Sequence, residues 1–156
     1  SMGGCLTLRL AEQHGDAISG IVLVNPSVLT ERPERVLLPA LSKVVPSFPG
    51  ISNDIAKPGM DEGAYTRLPL KAAHSLAQLW SVTRRDMGRV QQPLLLFHSA
   101  VDHVVEPAQA EFLASSYGGP VERLSLERSY HVATLDYDKD LILERAVSFG
   151  RTVTAS

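Results

Sequence analysis

Two short, continuous apolar runs constrain this chain more than anything else in it: GIVLVN at residues 20–25 and PLLLFHS at 93–99. Each is rich in aliphatic side chains and each stops abruptly at a polar loop. Unbroken hydrophobicity over so few residues reads as a strand buried on both faces, the condition of strands inside a parallel sheet. Parallel neighbours require crossovers, and the flanking segments supply them. Residues 2–14 read as a helix, with Cys5, Leu6, Leu8 and Leu10 set among polar positions. PAQAEFLASSYGG (107–119) is a helix with proline in its first turn and a glycine stop. VERLSL (121–126) is a third strand. KDLILERAVSFGRTV is a final amphipathic helix, with Asp136 or Asp138 as its N-cap. The expectation is an α/β fold of about three parallel strands with flanking helices.

Residues 26–69 interrupt that rhythm. They hold Pro26, Pro33, Pro39, Pro46, Pro49, Pro58 and Pro69, seven of the chain's ten prolines. At that density no long regular element survives, so short helical pieces such as ERVLLPALSKVV are expected in an inserted cap rather than in the sheet. A further helix follows at about 70–84, with an apolar stripe through Ala72, Leu76, Leu79 and Trp80 or Thr83. The whole insertion is placed at about 27–84, within a single partial domain that takes in all of 1–156. Trp80, Tyr65 and Phe48 are expected to pack inside the cap, and the charges of ERPER and TRRD to be solvated.

The chemistry is expected where the strands end, because ligands of parallel α/β sheets sit outside the carboxyl ends of the strands. AVDHVVEP follows PLLLFHS, and ERSYHVA follows VERLSL. These loops put Asp102 and His131 on one rim, one strand apart. A carboxylate can hold one imidazole nitrogen while the other acts as a base. Such a pair needs a nucleophile, and Ser1, directly before a helix that starts with small residues, is the candidate. The chain order Ser, Asp, His is that of enzymes whose serine sits in a G-x-S-x-G turn between strand and helix. S-M-G is the second half of that pattern, with Gly3 expected where the turn is tight.

With SMGG, IVLVNP, AYTRLPLKAAHSLAQL, HSAVDHVVEP and SYHVATLDYDKDLI in place, the sequence resembles the C-terminal half of an α/β-hydrolase, close to bacterial carboxylesterases and monoacylglycerol lipases. The resemblance covers essentially the whole chain. It implies a serine ester hydrolase with Ser1 as nucleophile, Asp102 as acid, His131 as base and the Met2 backbone N–H in the oxyanion hole. It implies a small ester substrate with an apolar acyl chain and requires neither metal nor organic cofactor. It also implies that the N-terminal half of the fold is missing. The edge of strand 20–25 would then lie open and invite self-association.

Other readings stand beside this one. Ser-Met is also what a cleaved purification tag leaves behind. Asp102 can be an ordinary turn residue, and Asp136 is a rival acid that reads better as a helix cap. His98 and His103 flank Asp102 as a metal cluster would, although no ligand spacing recurs. His14 and His74 read as structural or exposed, and Cys5 as a small buried apolar residue. A serine at a chain terminus can use its own α-amine as base, but those folds begin with a strand in an antiparallel layer. The chain could equally be a catalytically incompetent or binding module of the same fold. The single cysteine excludes an internal disulfide, and the net charge of −2 gives no reason to expect nucleic acid as a partner. No apolar run approaches the roughly 20 residues that span a bilayer, and a cytoplasmic location is expected.

Overall fold

The computed structural model describes residues 1–29 and 36–155. Pro33 and the ERPER charges lie outside the described residues. Helix α1 (Met2–His14) leads into β1 (Ile21–Val24); a short helix α2 (Leu38–Val44) and a hairpin of β2 (Ser47–Pro49) and β3 (Arg67–Pro69) follow. The long helix α3 (Leu70–Asp86) then returns the chain to β4 (Leu94–Ser99), α4 (Ala108–Ser116), β5 (Val121–Leu126) and α5 (Lys139–Thr154). β1, β4 and β5 form a parallel sheet in the order β1-β4-β5, with Ile21 opposite Leu94 and Leu94 opposite Val121. The expected α/β architecture of three parallel strands with flanking helices is therefore present. β2 and β3 pair antiparallel as a separate ribbon; proline keeps each to three residues.

β4 is the centre of the sheet, and its sequence says why. Leu94, Leu95, Leu96 and Phe97 are all fully buried, and successive side chains point to opposite faces. Leu94 and Leu96 join Cys5, Leu8 and Ala11 of α1, Ile21 and Leu23 of β1, and Ala110 and Leu113 of α4. Leu95 and Phe97 join Leu126, Ala133 and Ile142 on the face that α5 covers. Each such side chain contributes about 1.5–3 kcal/mol on burial, which makes β4 the hinge of both layers. β1 departs from the expectation of burial on both faces. It forms one edge of the sheet among the described residues, and Val22 is 37% exposed.

The helices also differ from the pattern in instructive ways. In α1 the buried face is Gly4, Cys5, Leu8 and Ala11, while Leu6 and Leu10 are exposed. Small residues win because the helix lies close against the end of β1. A Cβ on Gly4 would sit 2.5 Å from the Cβ of Pro26, whereas one on Gly3 would meet nothing within 4 Å. The close approach thus falls on Gly4 and not on Gly3. In α3, Thr83 is buried and Leu79 and Trp80 pack against the core, but Ala72 is exposed. Trp80 Nε1 donates to the Ser27 carbonyl at 2.9 Å, so it anchors α3 to the loop after β1. Tyr65 does not pack as expected; it is almost fully exposed, and Phe48 is half-exposed. α4 stops at Ser116, because Tyr117 is extended and its hydroxyl donates to Gln92 O at 2.7 Å. Among the described residues no helix is long and apolar enough to cross a membrane.

Candidate active site

Three chain segments meet beyond the carboxyl ends of β1, β4 and β5, and a buried asparagine ties them together. Asn25 ends β1 in the left-handed region (φ 45°), a conformation asparagine tolerates better than most residues. Its Oδ1 accepts the Ser99 N–H at 2.7 Å, and its Nδ2 donates to Ser99 Oγ at 2.9 Å and to the His131 carbonyl at 2.8 Å. The Ser99 hydroxyl in turn donates to the Tyr130 carbonyl at 2.8 Å. Both side chains are buried, where polar groups must find partners, so this network fixes the His131 loop to the strand ends.

Asp102 lies in the loop after β4. Its Oδ1 accepts the N–H groups of Val104 and Val105 at 2.8 and 2.7 Å, and its Oδ2 lies 2.8 Å from His131 Nδ1. Asp102 is therefore a turn residue and the partner of His131 at once. The carboxylate is 2% exposed and the imidazole 12%, so the pair is shielded from water, where its electrostatic coupling is stronger.

Ser1 stands at the N-cap position of α1, beside the loop that follows β1. Its carbonyl accepts N–H groups from Gly4 at 3.0 Å and from Ser27 at 3.2 Å. Burial pushes the Ser1 α-amino group below its usual value, and the Asp102 carboxylate is close enough to oppose that shift. No hydrogen bond joins the Ser1 hydroxyl to His131 among the described residues. Met2 opens the helix, so its N–H has no partner within it. Cys5 is buried and Sγ donates to the Ser27 carbonyl at 3.0 Å; burial raises its thiol.

Asp136 is neither a helix cap nor a rival acid at the imidazole. Its Oδ2 accepts the N–H groups of Ala56 and Tyr130 at 2.7 and 3.0 Å, and its Oδ1 those of Lys57 and Tyr137 at 3.0 and 2.8 Å. Burial raises its carboxyl, but the four backbone donors outweigh that and hold it below the usual carboxylate value. Asp138 occupies the N-cap position of α5 without capping it; its carboxylate accepts the Arg128 N–H instead. The two histidines beside Asp102 are engaged differently. His103 Nδ1 lies 2.6 Å from Asp54 Oδ1, while His98 Nδ1 is buried without a hydrogen-bond partner among the described residues. Burial, then Arg123, lowers His98 from its ordinary value. Among the described residues no group of three or more His, Cys, Asp or Glu could hold a metal ion.

The chain is similar to several known proteins. Residues 1–138 match the family model described as serine aminopeptidase S33, a hydrolase family. A thermostable monoacylglycerol lipase of Bacillus sp. (strain H-257) is 38% identical over 151 residues, which are 96% of this chain and 59% of that protein. A structure from a study of LipS and LipT, two metagenome-derived lipolytic enzymes, superimposes with a TM-score of 0.91 at 39% identity, over 97% of this chain and 62% of that one. The monoacylglycerol lipase of Paleococcus ferrophilus shares the fold, with a TM-score of 0.73 at 20% identity over all of this chain and 66% of that one. The chain thus spans about three fifths of the length of the first two relatives. With the family model matched over residues 1–138 and the fold shared with a lipolytic enzyme at 39% identity, the chain belongs to the serine aminopeptidase S33 family of α/β-hydrolases.

Proposed function

We propose that the chain carries the catalytic residues of a serine ester hydrolase acting on esters with an apolar acyl group, monoacylglycerols being the sharpest candidate. The observation that carries the reading is the shielded 2.8 Å contact between His131 Nδ1 and Asp102 Oδ2 beyond the ends of two adjacent strands. With Nδ1 committed to Asp102, Nε2 is the nitrogen available for proton transfer. In this reading Nε2 takes the Ser1 hydroxyl proton as Oγ attacks the ester carbonyl. Asp102 stabilises the imidazolium that results. The proton then passes to the departing alcohol, and water activated by the same imidazole releases the acid from the acyl-enzyme. The Met2 N–H, at the positive end of a 13-residue helix, is suited to stabilise the negative oxygen of each tetrahedral intermediate.

Residues from about 27 to 84 serve in this reading as a cap, and their exposed apolar side chains favour an acyl chain over a charged substrate. Phe48 and Leu68 stand opposite each other on the β2–β3 ribbon, and Ile51 follows. The names of the similar lipases support a glycerol ester; a broader carboxylesterase activity is the coarser form of the same proposal.

Hydrolysis of a nitrophenyl ester series of increasing acyl length tests the proposal. It is measured on this chain and on a form extended to its relatives' length. Activity that rises from acetate to medium-chain esters supports the proposal. Absence of turnover from both forms contradicts it.

A further inference from the structure

We propose that Asp54 is a positioning residue for His131, a role that rests on His131 being the base. Asp54 comes from the segment between β2 and β3, far along the chain from both strand-end loops, yet it is 9% exposed and reaches each of them. Its Oδ2 accepts the His131 N–H and the His103 N–H, both at 3.1 Å. Its Oδ1 lies 2.6 Å from His103 Nδ1, and its backbone carbonyl accepts the Val132 N–H at 3.1 Å. One residue therefore clamps the backbone of the base to the backbone of the residue that follows Asp102. Together with the Asn25–Ser99 network, this clamp holds the loop carrying the acid against the loop carrying the base.

The clamp is itself braced. Asn53 adopts a left-handed turn (φ 55°) and exchanges two hydrogen bonds with Glu62, its N–H donating at 2.6 Å and its Oδ1 accepting at 3.0 Å. Two residues on, Asp136 grips the Ala56 and Lys57 N–H groups together with that of Tyr130. Residues 53–57 thus stay in place from both sides. The clamp calls for one acceptor oxygen facing two backbone donors, which a carboxylate or an amide can present and an alanine cannot. The same contacts join the segment between β2 and β3 to the base, so the placement of the proposed cap and the aim of the imidazole depend on one side chain.

The test uses Asp54→Asn, Asp54→Ala and His103→Ala in the form of the protein that turns over a short-chain nitrophenyl ester. A misplacement of about 1 Å near the chemistry costs about 10²-fold in rate. Asp54→Ala, which removes the oxygen that both backbone N–H groups share, is therefore expected to lower kcat by about that factor with KM within about two-fold, while Asp54→Asn, whose amide oxygen can accept both, is expected to stay within about three-fold of the parent. His103→Ala keeps the Asp54–His131 bond and is expected to stay within about three-fold of the parent. An unchanged kcat in folded Asp54→Ala overturns the proposal, as does an equal loss in His103→Ala. Should the Asp54 variants fail to fold, amide exchange in the unaltered protein decides. A protected His131 N–H supports the clamp, and exchange at the rate of a free loop overturns it. His131→Ala and Asp102→Asn separate the two claims. If they lose turnover while Asp54→Ala keeps it, only the clamp fails; if they keep it, the catalytic reading itself fails.

Discussion

Asp136→Asn is the substitution whose cost the structure defines most clearly. The side chain is 3% exposed, and each carboxylate oxygen accepts two backbone N–H groups: Ala56 and Tyr130 on one, Lys57 and Tyr137 on the other. Asparagine preserves the volume but replaces one acceptor oxygen with a donor. Whichever way the amide turns, two backbone donors lose their acceptor. A stranded buried donor costs about 1–3 kcal/mol, so the substitution is expected to destabilise the chain by about 2–6 kcal/mol. That is a large share of the about 5–15 kcal/mol that holds a domain together. Urea unfolding followed by tryptophan fluorescence reads it cleanly, because Trp80 is the only tryptophan and is bonded to the loop after β1. Asp138→Asn is the control: its carboxylate accepts the Arg128 N–H in an exposed setting, and a change below about 1 kcal/mol is expected. An equal midpoint for Asp136→Asn and Asp138→Asn would contradict this expectation, since the two displaced N–H groups would then have found other partners.

Asp86 governs a different property, the response to acid. The Arg85 guanidinium holds its carboxyl down to about 2, with burial opposing and Arg89 assisting. A carboxyl depressed in the folded state stabilises fully above its ordinary value of 3.8, and that contribution fades as pH falls toward 2. Thermal midpoints measured from pH 5 to pH 2 should therefore fall less steeply in Asp86→Asn than in the parent. Gly4→Ala places a Cβ 2.5 Å from the Pro26 Cβ. It should cost about 1–3 kcal/mol in thermal unfolding. Gly3→Ala meets nothing within 4 Å and should stabilise α1 by up to about 1 kcal/mol.

What the sequence made legible was set by local physics. The run LLLF in β4 needed no tertiary information, since four consecutive apolar residues have no other comfortable place than between two layers. Asp102 and His131 were legible because each follows a strand, and parallel strands deliver their following loops to one rim. Which face of α1 is buried was not legible: Leu6 and Leu10 are more hydrophobic than Gly4 and Ala11, yet the latter pair is buried. Close approach to Pro26 selects for smallness, which hydrophobicity does not report. Asp136 looked like a cap because it precedes a helix, yet its four partners include two from residues 56 and 57, a contact that only the folded chain creates. Asn25 left a faint signal as Asn-Pro at the end of an apolar run. Asp54 left none: an aspartate in a segment rich in glycine and proline is the commonest of loop residues, and its contacts with His103 and His131 span 49 and 77 residues.

In the proposed mechanism Ser1, His131 and Asp102 act as one nucleophilic unit. Reaction with a fluorophosphonate, followed by peptide mapping, tests it directly on this chain and on a form extended to the length of its relatives. A phosphonyl adduct is expected on Ser1, abolished by His131→Ala and slowed by Asp102→Asn. An adduct on another residue, or one on Ser1 that forms equally fast without His131, would contradict it.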